Sequence, residues 1–252
     1  MNLIKLGIGT TWFGRKWPPN NNNYNAPDFD EIENHFNKVF GMLKNGEMLM
    51  IDTAPSYGDS EEKIGRYFKR NPKLIKKSFI ATKWGEEFDA KTGLCRIDHS
   101  KKQLALSLKR SLSKLPKVDL LYIHRPTADV LNDFDVIQKL IDCDIEKIGI
   151  SISNEKLLER FLGEHLLLIL DFIQIPAYIF LTRPDLMERI SSHIVLNSPI
   201  RKANNISPEE IYKKLFNHKD SPIVLTGTRN HLDEVIDIYS KRVDTALISK
   251  LP

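Results

Sequence analysis

Cysteine is scarce: the 252 residues contain two, Cys95 and Cys143, in separate segments. Neither belongs to a CxxC or a Cys/His cluster, which excludes a disulfide framework and a thiolate zinc site and fits a reducing cytoplasm. The seven histidines, His35, His99, His124, His165, His193, His218 and His231, are equally scattered, with no HxH or HExxH spacing, so no metal site is expected. Long apolar runs are missing too. The most hydrophobic stretch, HLLLILDFIQI, is broken by Asp171 and Gln174, and the N-terminal MNLIKLGIGTTWFG has no basic run ahead of a long apolar one. Neither a signal peptide nor a membrane span is expected. Nor is there a block of one charge sign: the net charge is +4, but lysine and arginine are interleaved with aspartate and glutamate. No basic face alternates with aromatics, which argues against a nucleic-acid binder. The one low-complexity patch, PPNNNNYNAP at 18–27, reads as a turn-rich loop beside a site.

A chain of this length buries enough apolar surface to be stable without cross-links. What it has in quantity is alternation between short apolar or β-branched runs and longer stretches of helical period. Eight strands are predicted: 3–9, 48–54, 78–84, 118–124, 145–152, 171–177, 193–199 and 222–227. Most are nearly continuous in apolar residues, as strands buried on both faces are. Helix starts are marked by Ser100 with Gln103, by Ser207-Pro208-Glu209-Glu210, and by Asp59 with Glu62, each read as an N-cap signal. Leu104, Leu108, Leu112 and Leu115 form one apolar stripe; Ile32, Phe36, Val39, Phe40 and Leu43 form another, closed by Gly46. Eight βα units without an evident linker favour a (β/α)8 TIM barrel, a single domain over 1–252, above a doubly wound open sheet.

Polar residues strengthen that choice. Asp52, Lys83, His124 and Gln174 fall at or near the carboxyl ends of the second, third, fourth and sixth strands, where barrels build their sites. The alternations Phe79-Ala81-Lys83 and Leu120-Tyr122-His124 aim the polar member into the mouth. With Tyr57, these residues suit proton donation. A phenol is a poor acid at neutral pH, a lysine cation nearby stabilises its phenolate, a carboxylate holds the lysine, and an imidazole orients a polar substrate atom.

The segments IDTAPSYGDSEEKIG, ATKWG and DLLYIHRP, in that order and each on a predicted barrel strand, resemble the aldo-keto reductases, and the resemblance runs from about residue 3 to about 239. It implies an NAD(P)H-dependent oxidoreductase in which NADPH reduces an aldehyde or ketone, or NADP+ oxidises an alcohol, with NADH as a further cofactor. Tyr57 would be the general acid, Lys83 would depress its pKa, Asp52 would pair with Lys83, and His124 would hydrogen-bond the carbonyl oxygen. The resemblance places Gly9, Thr10, Asp52, Ser151, Gln174, Asn197 and Ser198 on the cofactor. It places Gly227, Thr228 and Arg229 at the 2′-phosphate, with Asn230 capping the following helix. Trp12, Trp84 and His124 would meet the substrate, with Trp17 and Arg125 nearby and Tyr24 in a covering loop. A second reading is a cofactor-binding regulatory or scaffold subunit of the same fold with little turnover.

Overall fold

The computed structural model describes residues 3–16, 24–89, 92–127, 129–130, 133–163, 169–202, 206–227 and 231–242. Its strands, in chain order, are β1 (Leu3–Gly9), β2 (Glu47–Asp52), β3 (Ser78–Trp84), β4 (Glu86–Asp89), β5 (Leu94–Ile97), β6 (Leu120–His124), β7 (Lys147–Ser151), β8 (Phe172–Pro176), β9 (His193–Asn197) and β10 (Ile223–Thr226). Eight of them pair in parallel as a closed barrel, β1-β10-β9-β8-β7-β6-β3-β2, the (β/α)8 architecture read from the sequence. The remaining two form an antiparallel hairpin between β3 and the next helix, which the sequence reading left out.

Strand alternation sorts the side chains into two apolar masses. Inside the barrel, Met50, Ala81, Leu120, Tyr122, Phe172, Val195, Ile223 and Leu225 pack together. Outside it, neighbours such as Ile51, Ile80, Leu121, Ile123 and Ile150 meet the helices. The helix Phe29–Gly41 lays Ile32, Phe36, Val39 and Phe40 on that outer face, with Phe36 stacked on Tyr67 at 4.5 Å. Each fully buried side chain of that size contributes roughly 1.5–3 kcal/mol.

Local signals were right in part. Ser100 and Ser207 accept from the backbone N–H groups of Gln103 and Glu210, as N-caps should. The Gln103 side chain, however, donates to Glu87 and Ser107, so the reciprocal half of that box is absent, and the Ser100 N–H goes to Asp98 instead. Asp59 caps nothing with its side chain; it pairs with Lys63 at 3.1 Å. Gly46, at φ +83, lies in the turn before β2, five residues beyond the end of the helix it was expected to close. Leu112 is half exposed, because the helix Lys101–Lys114 turns Gln103, Leu104, Ser107 and Ser111 inward instead.

Candidate active site

The alternation that fills the barrel with apolar side chains ends on polar ones at a single rim. Inward positions run Met50 to Asp52, Ala81 to Lys83, Tyr122 to His124, Phe172 to Gln174 and Val195 to Asn197. Gly149 to Ser151 follows the same step on β7: a Cβ on Gly149 would sit 2.7 Å from the Tyr122 ring. Tyr57 reaches this rim from a 3-10 turn, Pro55–Tyr57, directly after β2. The turn is held by close backbone packing: a Cβ on Gly14 would lie 1.9 Å from the Tyr57 carbonyl oxygen, and Gly58, at φ +66, faces Gly14 from the other side.

The four residues singled out for chemistry are brought together. Lys83 Nζ donates to Asp52 Oδ1 at 2.6 Å and to the Thr53 carbonyl at 3.0 Å, and lies 5.0 Å from the Tyr57 ring centroid. The His124 ring stands edge-on to the Tyr57 ring with centroids 5.9 Å apart. All four are buried. Burial works to discharge Lys83, but Asp52 and Tyr57 outweigh it and hold the ammonium above its ordinary range. For Tyr57 the balance runs opposite to expectation. Burial raises the phenol, and the Lys83 cation offsets only part of that rise, so the group is a neutral, protonated donor. Burial, then Lys83, lowers His124 to about 3, leaving an uncharged imidazole at neutral pH.

The cofactor candidates divide. Ser151 Oγ donates to Gln174 Oε1 at 2.7 Å, and Gln174 Nε2 donates to Asp52 Oδ1 at 2.8 Å, so a polar chain runs from β7 through β8 to the Lys83 pair. Asn197 ends β9 and Ser198 follows it at φ +49, both half-buried. Gly9 and Gly227 approach each other, a Cβ on the first lying 4.0 Å from the second's Cα. Thr10 is fully buried and its hydroxyl is engaged, donating to the Asp52 carbonyl and accepting from Ser60, which makes it a tie between β1 and β2. Thr228, Arg229, Asn230 and Trp17 lie outside the described residues.

Two substrate candidates are placed elsewhere. Trp84 follows an inward Lys83 and therefore points out of the barrel, completely buried with its ring 5.4 Å from His99. Trp12 packs against Phe13 and His35 in the outer core. The Tyr24 hydroxyl donates to the Trp12 carbonyl. Arg125 does reach the rim, half exposed and at φ +48, donating to Glu86 Oε1 at 2.8 Å.

The sequence reading missed the neighbours that surround this group. Glu86 opens the hairpin, Ser56 precedes Tyr57, and the Arg15 guanidinium lies between the Tyr57 and Phe88 rings at 5.5 and 5.3 Å. Glu86 stands three residues beyond Lys83 and could have been found as an acid just past a positive-φ glycine; Arg15 carries no such signal. A cavity of about 350 Å³ is lined by Ile97, His99, Ser100, Thr127, Asp129, Val130 and Asp133, and none of Asp52, Tyr57, Lys83 or His124 lines it. Among the described residues no helix is long and apolar enough to cross a membrane, and no three His, Cys, Asp or Glu side chains cluster as metal ligands.

A closed parallel barrel with a buried Tyr-Lys-Asp-His group at its carboxyl rim defines a class, and comparison with known proteins agrees. Residues 5–193 match the model of the aldo/keto reductase family, and the chain belongs to that family. The NADP(+) aldo-keto reductase yakc of Schizosaccharomyces pombe is 32% identical over 111 residues, 41% of this chain; the match spans about a third, 32%, of that relative's length. An aldo-keto reductase structure from Pseudomonas aeruginosa superposes with a TM-score of 0.73 at 23% identity, covering 94% of this chain and 90% of that one. One from Klebsiella pneumoniae, in complex with NADP and acetate, gives 0.63 at 13% identity over 98% and 89%. At these identities the structural likenesses speak for the fold.

Proposed function

We propose that this chain catalyses the NADPH-dependent reduction of an aldehyde or ketone, or the reverse oxidation of an alcohol, with Tyr57 as the general acid. The observation that carries this reading is the buried line from the Tyr57 phenol through the Lys83 ammonium to the Asp52 carboxylate. A donor must hold its proton until the transition state, and the buried phenol does. Once that proton leaves, the phenolate faces a fixed cation, and each pKa unit of relative stabilisation is worth about 1.4 kcal/mol. Asp52 keeps the cation charged and oriented. Gln174, bonded to the same Asp52 oxygen, ties the acid-base group to the adjoining amide site.

The nicotinamide cofactor supplies the hydride when bound. The residues present suit it. Ser151 and Gln174 offer a hydroxyl and an amide side by side, a donor and acceptor set matched to a primary carboxamide. Asn197 and Ser198 stand on the next strand end, and the bare backbone of Gly9 and Gly227 leaves room for a phosphate-bearing chain to pass closely. Thr228 and Arg229 would hold the 2′-phosphate, since a guanidinium pairs with phosphate in a bidentate manner. NADP in the name of the fission-yeast relative and in the Klebsiella complex supports NADPH over NADH.

The test is oxidation of NADPH, followed optically, against a panel of aldehydes, ketones and keto-sugars. Turnover of at least one supports the enzyme. Tight NADPH binding with no turnover across the panel would instead favour a cofactor-binding regulatory subunit.

A further inference from the structure

Strand alternation sets a second row of polar residues behind the rim. Asp52 and Lys83 turn into the barrel, and their neighbours Thr53 and Thr82, both fully buried, take the opposite face. Both threonines are met by the start of one helix, Ser60–Arg70, which begins three residues after Tyr57. Its first two residues, Ser60 and Glu61, are buried polar side chains that take no direct part in proton donation.

Ser60 completes a chain of hydroxyls. Thr53 Oγ1 lies 3.2 Å from Ser60 Oγ, and Thr10 Oγ1 donates to the Asp52 carbonyl at 3.0 Å. The one hydroxyl hydrogen of Ser60 is committed to Thr10, whose hydroxyl and carbonyl oxygens lie 2.8 and 3.1 Å away. Thr53 is therefore the donor to Ser60. The chain leaves from residue 53 and returns to residue 52. Those two residues carry both acceptors of Lys83 Nζ, the Thr53 carbonyl and the Asp52 carboxylate.

Glu61 acts in the same way on β3. Its Oε1 accepts from Thr82 Oγ1 and from Ser111 Oγ of the helix Lys101–Lys114, both at 2.7 Å. Burial pushes the carboxyl above its ordinary range, and the two hydroxyls offset that only in part. Oε2 is buried as well and has no hydrogen-bond partner among the described residues. A leucine would fill this space without the cost of burying a bare polar oxygen, so packing does not account for the acid.

We propose that Ser60 and Glu61 are positioning residues that together set the distance between the Tyr57 phenol and the Lys83 ammonium. This rests on the reductase reading and deepens it. Ser60 holds the backbone to which Lys83 donates, Glu61 holds the residue before Lys83, and the short link from 57 to 60 carries the phenol on the same helix start.

Hydrogen exchange of the Lys83 ammonium, followed by NMR of the full-length chain labelled with 15N-lysine, tests this without any turnover; Lys83→Met identifies the signal. Ser60→Ala and Thr82→Val should each speed that exchange by about tenfold or more, as loosened local packing does. Glu61→Gln, which keeps the accepting oxygen, should retain the wild-type rate, and so should Ser111→Ala, which leaves Thr82 bonded to Glu61. Unchanged exchange in both Ser60→Ala and Thr82→Val, or equal acceleration in Ser111→Ala, would overturn the proposal. In kinetics, Thr82→Val should lower kcat about tenfold or more with NADPH affinity nearly unchanged. Its alcohol oxidation, which needs the phenolate, should rise at higher pH than in the wild type, because Lys83 works to lower the phenol. An unshifted pH profile would overturn the proposal. Absence of turnover in the wild type alongside the expected exchange rates would count against the reductase reading alone.

Discussion

Tyr122 stands on the barrel's inner wall directly beneath His124, completely buried, and its hydroxyl has no hydrogen-bond partner among the described residues. A buried hydroxyl without a partner costs free energy, so Tyr122→Phe, which keeps the ring, should leave the melting temperature unchanged or raise it. A fall of several degrees would reveal a bond the hydroxyl makes. Two histidines give the fold a pH dependence of known sign. His35, packed between Trp12 and Phe13, is lowered to about 4 by burial and then Lys38, and His124 to about 3. An unfolded histidine takes up its proton near pH 6.5, so between that pH and these values the unfolded chain binds more protons and stability falls as the pH falls. His35 accounts for roughly 3 kcal/mol of that loss once the pH is below 4. Urea unfolding from pH 7 to pH 4.5 should show the decline, and His35→Leu should flatten it; an identical slope in the variant would refute the assignment. Asp52, Lys83 and His124 were legible because alternation alone decides which face of a strand a residue takes. Trp84 was misread by the same rule, since the neighbour of an inward lysine must point outward. The tyrosine's acidity could not be read, because it depends on how completely the phenol is buried.

At the scale of single elements, side-chain capping separates residues that look alike in sequence. Ser100 accepts the Gln103 N–H at the start of the helix Lys101–Lys114, whereas the Asp59 side chain pairs with Lys63 at the surface. Ser100→Ala should therefore cost about 1 kcal/mol. Asp59→Ala should cost less than about 0.5 kcal/mol. Urea midpoints at unchanged slope would measure both, and equal losses would contradict the distinction. The eight barrel strands were readable as apolar runs because each is covered on both faces. The hairpin was not, since Leu94–Ile97 is exposed throughout and Glu86–Asp89 is largely polar, leaving no periodic signal. That hairpin nevertheless delivers Glu86 to the rim.

For the molecule as a whole, ring closure depends on joining distant parts of the chain. β1 pairs with both β2 and β10, and the helix Leu232–Ser240 is fastened to the start of β2 by a buried group. Glu47 accepts from Arg242 and from the Tyr239 hydroxyl, and Arg242 lies over the Tyr239 ring. Breaking such a buried pair from one side typically costs about 3–5 kcal/mol, so Arg242→Met should lower the urea midpoint sharply. A change under about 1 kcal/mol would mean that the latch contributes little to closure. The same closure gathers β2, β3, β6, β7 and β8 so that their last polar residues share one rim, and the proposed chemistry depends on that convergence. The most direct measurement is carbonyl reduction by Tyr57→Phe, read as NADPH oxidation on a substrate the wild type turns over, beside NADPH affinity by cofactor fluorescence. The expected result is a loss of at least about a hundredfold in kcat, the scale of general-acid catalysis, with affinity nearly unchanged. Full turnover in the phenylalanine variant would contradict the account.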